Sequence, residues 1–233
     1  MAAKRSSSTV RARRGRPRQA VTQSRPVRMR LLHEATRLFA ARGYDGVTVD
    51  EVVAAAQVNK RMVYHYFGSK DGLYMAVLER AYTGLRQSEE GMFPPAIWNE
   101  PTREIVANVV AVYMRFFQTH PDVGRILLWE NLQGGSHLRR VTPAISKSPM
   151  LPFLQRLVRK GEEDGSFRSG IDPQHLLVNL FGLCQIYFSN RHTMSHAIDL
   201  DLTDPAVLKK GLEQATAVAI EGLCRPEPGR DRR

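Results

Sequence analysis

From Pro26 to about residue 224, apolar side chains recur at intervals of three and four, and no segment alternates with period two for long enough to make a strand. Such a chain buries one stripe per helix and holds nothing from which to build a sheet. The spacing therefore predicts an all-α fold. With 233 residues there is material for one small unit and one larger one, each with its own core.

The first helix is expected over 27–42, with Val27, Leu31, Ala35, Leu38 and Phe39 on one face and Gly43 closing it. Thr48 followed by Glu51 is a capping-box pattern, so a second helix starts near Val49 and ends near Gln57. Asn59 suits the N-cap of a short third helix, 60–66, whose Val63 and the following Phe67 face inward. A Gly-Ser-Lys-Asp turn opens a fourth helix with Leu73, Val77, Leu78 and Ala81 as its stripe, and Gly91 through Pro95 end it. Further helices are read at 101–119, 121–132, 150–164, 173–191 and 205–224, with a short one near 136–142. Pro173 and Pro205 follow Asp172 and Asp204, an N-cap and first-turn pairing. This divides the chain into a basic tail, 1–26, a small helical unit, 27–90, a larger one, 91–225, and a short tail, 226–233.

The net charge of +11 is uneven: residues 1–30 carry ten Lys and Arg and no acidic residue, and the remainder is close to neutral. A segment so polar is expected to be disordered when free, and points to a polyanionic partner, nucleic acid or an anionic membrane surface. An Arg- and Ser-rich, acid-poor start also resembles an organellar transit peptide, but it lacks amphipathic periodicity. Cys184 and Cys224 give neither a disulfide scaffold nor a zinc spacing, which fits a reducing cytoplasm. No run of 18 apolar residues predicts a membrane span.

Two short helices joined by a tight turn and backed by a longer one are the parts of a helix-turn-helix. The segment EVVAAAQVNKRMVYHYFGSKDGLYMAV, residues 51–77, resembles the signature of the tetracycline-repressor (TetR) family. Val52, Ala55, Val58, Val63, Tyr64, Phe67, Ser69, Lys70 and Leu73 carry the match, preceded by Phe39, Gly43, Tyr44, Gly46 and Thr48. The resemblance is specific over roughly residues 28–80 and architectural beyond. Three positions depart from the family pattern: Gln57 in place of a turn glycine, Asn59 in place of Ser or Thr, and Tyr66 in place of His. Gln57 must accept a left-handed backbone, at a cost of about 1 kcal/mol, or reshape the turn.

The resemblance implies double-stranded DNA as partner. Lys60, Arg61, Tyr64 and His65 share one face of the third helix, opposite Val63 and Phe67. Arg61 suits bidentate pairing with guanine, while Tyr64, Tyr66, Lys70, Thr48 and the cap Asn59 suit phosphates and the helix start. In the tail, Arg14-Gly15-Arg16-Pro17-Arg18 resembles an AT-hook, with Arg14, Arg16 and Arg18 entering a narrow minor groove; a nonspecific electrostatic arm fits equally well.

For the larger unit the resemblance implies a small-molecule effector and a homodimer. Residues 175–190 are apolar all round, and the last helix adds Gly211, Ala215, Ala219 and Gly222, small residues expected to let a partner's backbone approach. The effector is expected among Tyr113, Phe117, Trp129, Asn131 and Phe153. His192 and His196, with Asp199 and Asp201 nearby, have a spacing seen in metal sites but lack further ligands, so no metal and no cofactor is assigned. No P-loop, dinucleotide glycine pattern or nucleophile elbow is present, and catalysis is not expected. The competing reading is an architectural DNA-binding protein without an effector.

Overall fold

The computed structural model describes residues 19–91, 93–140 and 149–225, with side chains from Pro26 onward. Within them run ten α-helices: α1 (Gln19–Arg42), α2 (Val49–Ala56), α3 (Arg61–Phe67), α4 (Lys70–Gly91), α5 (Thr102–Thr119), α6 (Pro121–Leu132), α7 (Met150–Glu163), α8 (Pro173–Ser189), α9 (Arg191–Ile198) and α10 (Pro205–Leu223). Short 3-10 turns occupy Pro95–Asn99 and Leu138–Arg140. Extended pairing among the described residues is confined to an isolated antiparallel bridge between Phe167 and Cys224.

Local chemistry explains where four of these ten helices begin. The Thr48 side chain accepts from the Glu51 amide while the Glu51 carboxylate takes the Thr48 amide, a reciprocal cap on α2. Asp172 accepts from the Gln174 and His175 amides at 2.7 and 3.1 Å, and Asp204 from Ala206 at 2.7 Å, each ahead of a first-turn proline. Ser69 accepts from Gly72 at the start of α4. Gly43 takes φ +69° after α1, its amide donating to Phe39 at 2.8 Å.

Two elements differ from expectation. α1 begins at Gln19 rather than Val27, so residues 19–26 are helical and Pro26 lies inside the helix. Proline already holds a helical φ, and its missing amide leaves a single carbonyl one turn upstream without its helical donor. The short helix α9 was not expected from the sequence because Arg191–Ile198 buries none of its residues, its apolar Ile198 included; Asp199, left-handed at φ +52°, ends it. The tail through Arg18, with Arg14 and Arg16, and residues 226–233 lie outside the described residues, as does the end of the short helix expected near 136–142.

Two hydrophobic cores form. The first joins α1 to α4 through Leu31, Ala35, Phe39, Val52, Val63, Leu73 and Leu78, and also takes in Ile126 from α6. The second joins α5, α7, α8 and α10 through Ile105, Val109, Tyr113, Phe117, Leu154, Leu180 and Ala215. Helix α4 serves both, with Leu73–Leu78 in the first core and Leu85 packed on the second. A loop latch closes the second core: Arg168 donates to the Leu223 carbonyl and Arg225 to Ser166, each at 2.9 Å. The latch seats Phe167 in a space left by Gly161, where a Cβ would lie 2.4 Å from its ring.

The stripe of small residues on α10 faces the opposite way from expectation. Gly211, Ala215 and Ala219 are buried within the protomer, and a Cβ on Gly211 would lie 2.5 Å from the Tyr187 ring. They let α10 approach α5 and α8 of its own chain. The outward residues of the pair are Val178 and Ile186 on α8 and Val218 on α10, and Gly222 is exposed as well.

Candidate nucleic-acid interface

The turn between α2 and α3 is made by Gln57 at φ +52°, ψ +50°, so the left-handed alternative holds in place of the family's glycine. Asn59 then accepts from the Arg61 amide at 2.9 Å, a side-chain cap made one residue ahead of Lys60. α3 buries Val63 completely and half-buries Met62 and Phe67, which turns Lys60, Arg61, Tyr64 and His65 to solvent. Tyr64, at 52 % exposure, has no packing role that would require an aromatic ring there.

These side chains are not equally available. Lys60 pairs with Asp50 of α2 at 2.8 Å, a bond that raises its ionisation above the ordinary lysine range and ties the two helices together. Arg61 is exposed and makes no ion pair among the described residues. Tyr66 is half-buried, its ring edge-on to His65 at 4.8 Å and to Phe67 at 6.2 Å, so it packs at the base of the helix. Thr48 is exposed, but its hydroxyl is engaged with Glu51 at 2.8 Å. Arg42 also binds Glu51, at 2.7 Å; this bond first, then those from Thr48, lowers the carboxyl to about 2. Lys70, the first residue of α4, lies with its ammonium 4.2 Å above the Tyr44 ring. Sequence reading missed Arg28, whose guanidinium covers the Phe67 ring at 5.3 Å and sets another cation beside α3; an arginine on the first helix gives no local signal of that neighbour.

The five residues expected around an effector do not converge. Tyr113 and Phe117 are buried together, both edge-on to Phe181 at 5.6 and 5.2 Å. Tyr113 donates to the buried Glu89 of α4 at 2.9 Å, and burial followed by that carboxylate pushes its ionisation far above the ordinary tyrosine range. Phe153 stacks on Phe93 at 3.8 Å and meets Trp98 at 4.8 Å. Trp129 belongs instead to the junction of the two units. Its indole N–H donates to the Ala40 carbonyl at 3.3 Å, and its ring covers Gly43 so closely that a Cβ there would lie 2.8 Å away. Asn131 is exposed. His192 and His196 are exposed on α9, and no group of three or more metal-ligating side chains forms among the described residues. No helix among the described residues is long and apolar enough to cross a membrane.

Beside Trp129, Glu130 is fully buried and bonded to His137, a feature the sequence signalled only by placing a carboxylate four residues after the buried Ile126. A cleft of about 680 Å³ separates α1 and α4 from the α5–α6 turn, lined by Leu32, Thr36, Arg80, Gly84, Phe116 and Val123 among others.

Comparison with known proteins agrees with this geometry. Residues 31–77 match the family model described as bacterial regulatory proteins, tetR family, and residues 103–218 the tetracyclin repressor-like C-terminal domain. The chain is 32 % identical over 205 residues to the HTH-type transcriptional repressor NicS of Pseudomonas putida, covering 87 % of this chain and 95 % of that one. It is 24 % identical over 202 residues to the HTH-type transcriptional regulator RutR of Escherichia coli K12, covering 83 % and 88 %. Among solved structures, a transcriptional regulator from Streptomyces coelicolor superposes with a TM-score of 0.64 at 22 % identity, covering 86 % of this chain and 99 % of that one. The regulator FadR of Bacillus subtilis, solved with stearoyl-CoA, gives 0.61 at 20 % identity, covering 83 % and 98 %. The small N-terminal unit with its exposed α3 face, joined to a larger helical unit along the whole length of such relatives, makes this chain a member of the TetR family of DNA-binding transcriptional regulators.

Proposed function

We propose that the protein is a repressor that occupies a roughly palindromic operator as a homodimer and leaves it when a small molecule binds the larger unit. The observation that carries the reading is the α3 face: Arg61, Tyr64 and His65 stand exposed on a short helix whose opposite side, through Val63, is locked into the first core. Repression is the activity named for the Pseudomonas relative. Outward Val178, Ile186 and Val218 are the apolar side chains that a second copy would cover, setting two α3 helices toward successive major grooves. Tyr113 and Phe117 are the two expected effector residues that the fold brings together, and an effector entering between them would meet the polarity of Glu89 and the tyrosine hydroxyl inside an apolar setting. A structural neighbour solved with stearoyl-CoA supports a small-molecule effector, although that ligand belongs to that protein.

The test separates base reading from phosphate contact. Duplexes selected from a random library with the wild-type chain define a binding site. Arg61→Ala should relax preference at one or two base pairs, at a cost of about 1–3 kcal/mol there. Lys70→Ala should weaken all duplexes alike and reduce the salt slope by about one. Equal loss of discrimination in both variants would contradict the assignment.

A further inference from the structure

Glu130 sits on α6 with no exposed surface, a place where an ionised carboxylate persists only if its oxygens are bonded. Both are. Oε1 lies 2.9 Å from His137 Nδ1, and Oε2 accepts from the Leu138 amide at 3.2 Å. His137 in turn lies against two rings of the DNA-binding unit, Tyr44 at 4.6 Å and Tyr74 at 4.8 Å. Its Nε2 is 3.9 Å from Asp71, which is bound by both terminal nitrogens of Arg140. Asp71 follows Lys70 at the start of α4, and Lys70 covers the same Tyr44 ring. An unbroken set of contacts thus runs from a buried carboxylate of the larger unit to the helix start that approaches DNA.

We propose that Glu130 is a positioning residue for operator recognition: acting through His137, it fixes the Tyr44 loop and the first turn of α4 in the pose that sets α3 in register with the bases. It touches no DNA itself. The proposal rests on the DNA-binding reading of α3. Withdrawing His137 would leave the buried Oε1 of Glu130 without its partner.

The experiment uses the full chain and the duplex it selects from a random library, with an unrelated duplex of equal length as reference. If the wild type enriches no sequence, the DNA-binding reading falls, and the proposal with it. Where a duplex is enriched, Glu130→Gln, which keeps size but not charge, should bind it at least tenfold more weakly while binding the reference duplex within twofold of wild type. His137→Asn, which can still donate to Glu130 but loses the tyrosine rings and Asp71, should fall between the two. Unchanged affinity for the selected duplex in a folded Glu130→Gln protein, or equal loss on both duplexes, would overturn the positioning role. If Glu130→Gln fails to fold, the solvent-exposed outer arm carries the test. Arg140→Gln should then show the same selective loss, and wild-type discrimination in that variant would overturn the proposal.

Discussion

Gln57 holds the tight turn of the helix-turn-helix in a left-handed conformation that its Cβ disfavours, while its side chain is exposed and packs in neither core. Gln57→Gly should therefore stabilise the protein by about 0.5–1 kcal/mol in urea unfolding, and a loss of stability would show that the turn is not strained. Glu51 makes a second residue-level test. Its carboxyl is lowered from 4.5 to about 2 by Arg42 first and Thr48 next. A depressed folded-state value means that its contribution is complete above about 4.5 and is lost as pH falls toward 2. Asp164 acts in the same window: burial opposes ionisation, but bonds from Ser166, Lys160 and Thr102 outweigh it and bring the carboxyl from 3.8 to about 2. The unfolding midpoint should fall through this range, and Glu51→Gln should flatten part of that fall. An identical acid profile in the variant would remove Glu51 from the account.

At the scale of elements, α10 separates two roles that its sequence merges. Val218→Arg places a charge on the outward face and should yield folded monomers, seen as a halved mass in sedimentation. Ala215→Arg forces a long side chain between α10 and its own neighbours and should destabilise the protomer by 3 kcal/mol or more, on the order of other severe core insertions. Full dimerisation of a stable Val218→Arg chain would exclude that face. The sequence showed that small residues recur on α10, but the same spacing serves a neighbour within the chain and one in a second copy. Helix starts were legible because Thr48 with Glu51, Asp172 with Pro173 and Asp204 with Pro205 act within four residues. α9 was illegible because a helix that buries nothing leaves no periodicity. On α3 the exposed face was readable from spacing alone. The partners of Trp129 were not, since Ala40 and Gly43 lie far back along the chain and only the fold brings them to it.

For the whole molecule, the junction between the units contains one close contact, the Trp129 ring on Gly43. Gly43→Ala meets two obstacles, φ +69° and the Trp129 ring, and should cost at least about 2 kcal/mol. Trp129→Ala in the same chain should return the steric part and leave the backbone part, so the double variant should be less unstable than the sum of the singles. Strict additivity would mean that ring and glycine do not compete for the same space. The 22 residues of α4, rooted in both cores, also have a purely mechanical consequence. At 1.5 Å per residue the helix is a rod of about 33 Å. A rotation of about 7° about its Glu89 end carries the Lys70 end through about 3.5 Å, close to the rise of one base pair, about 3.4 Å along a strand. A lever of that length turns a displacement smaller than a bond at its root into a full step of register where it meets the double helix.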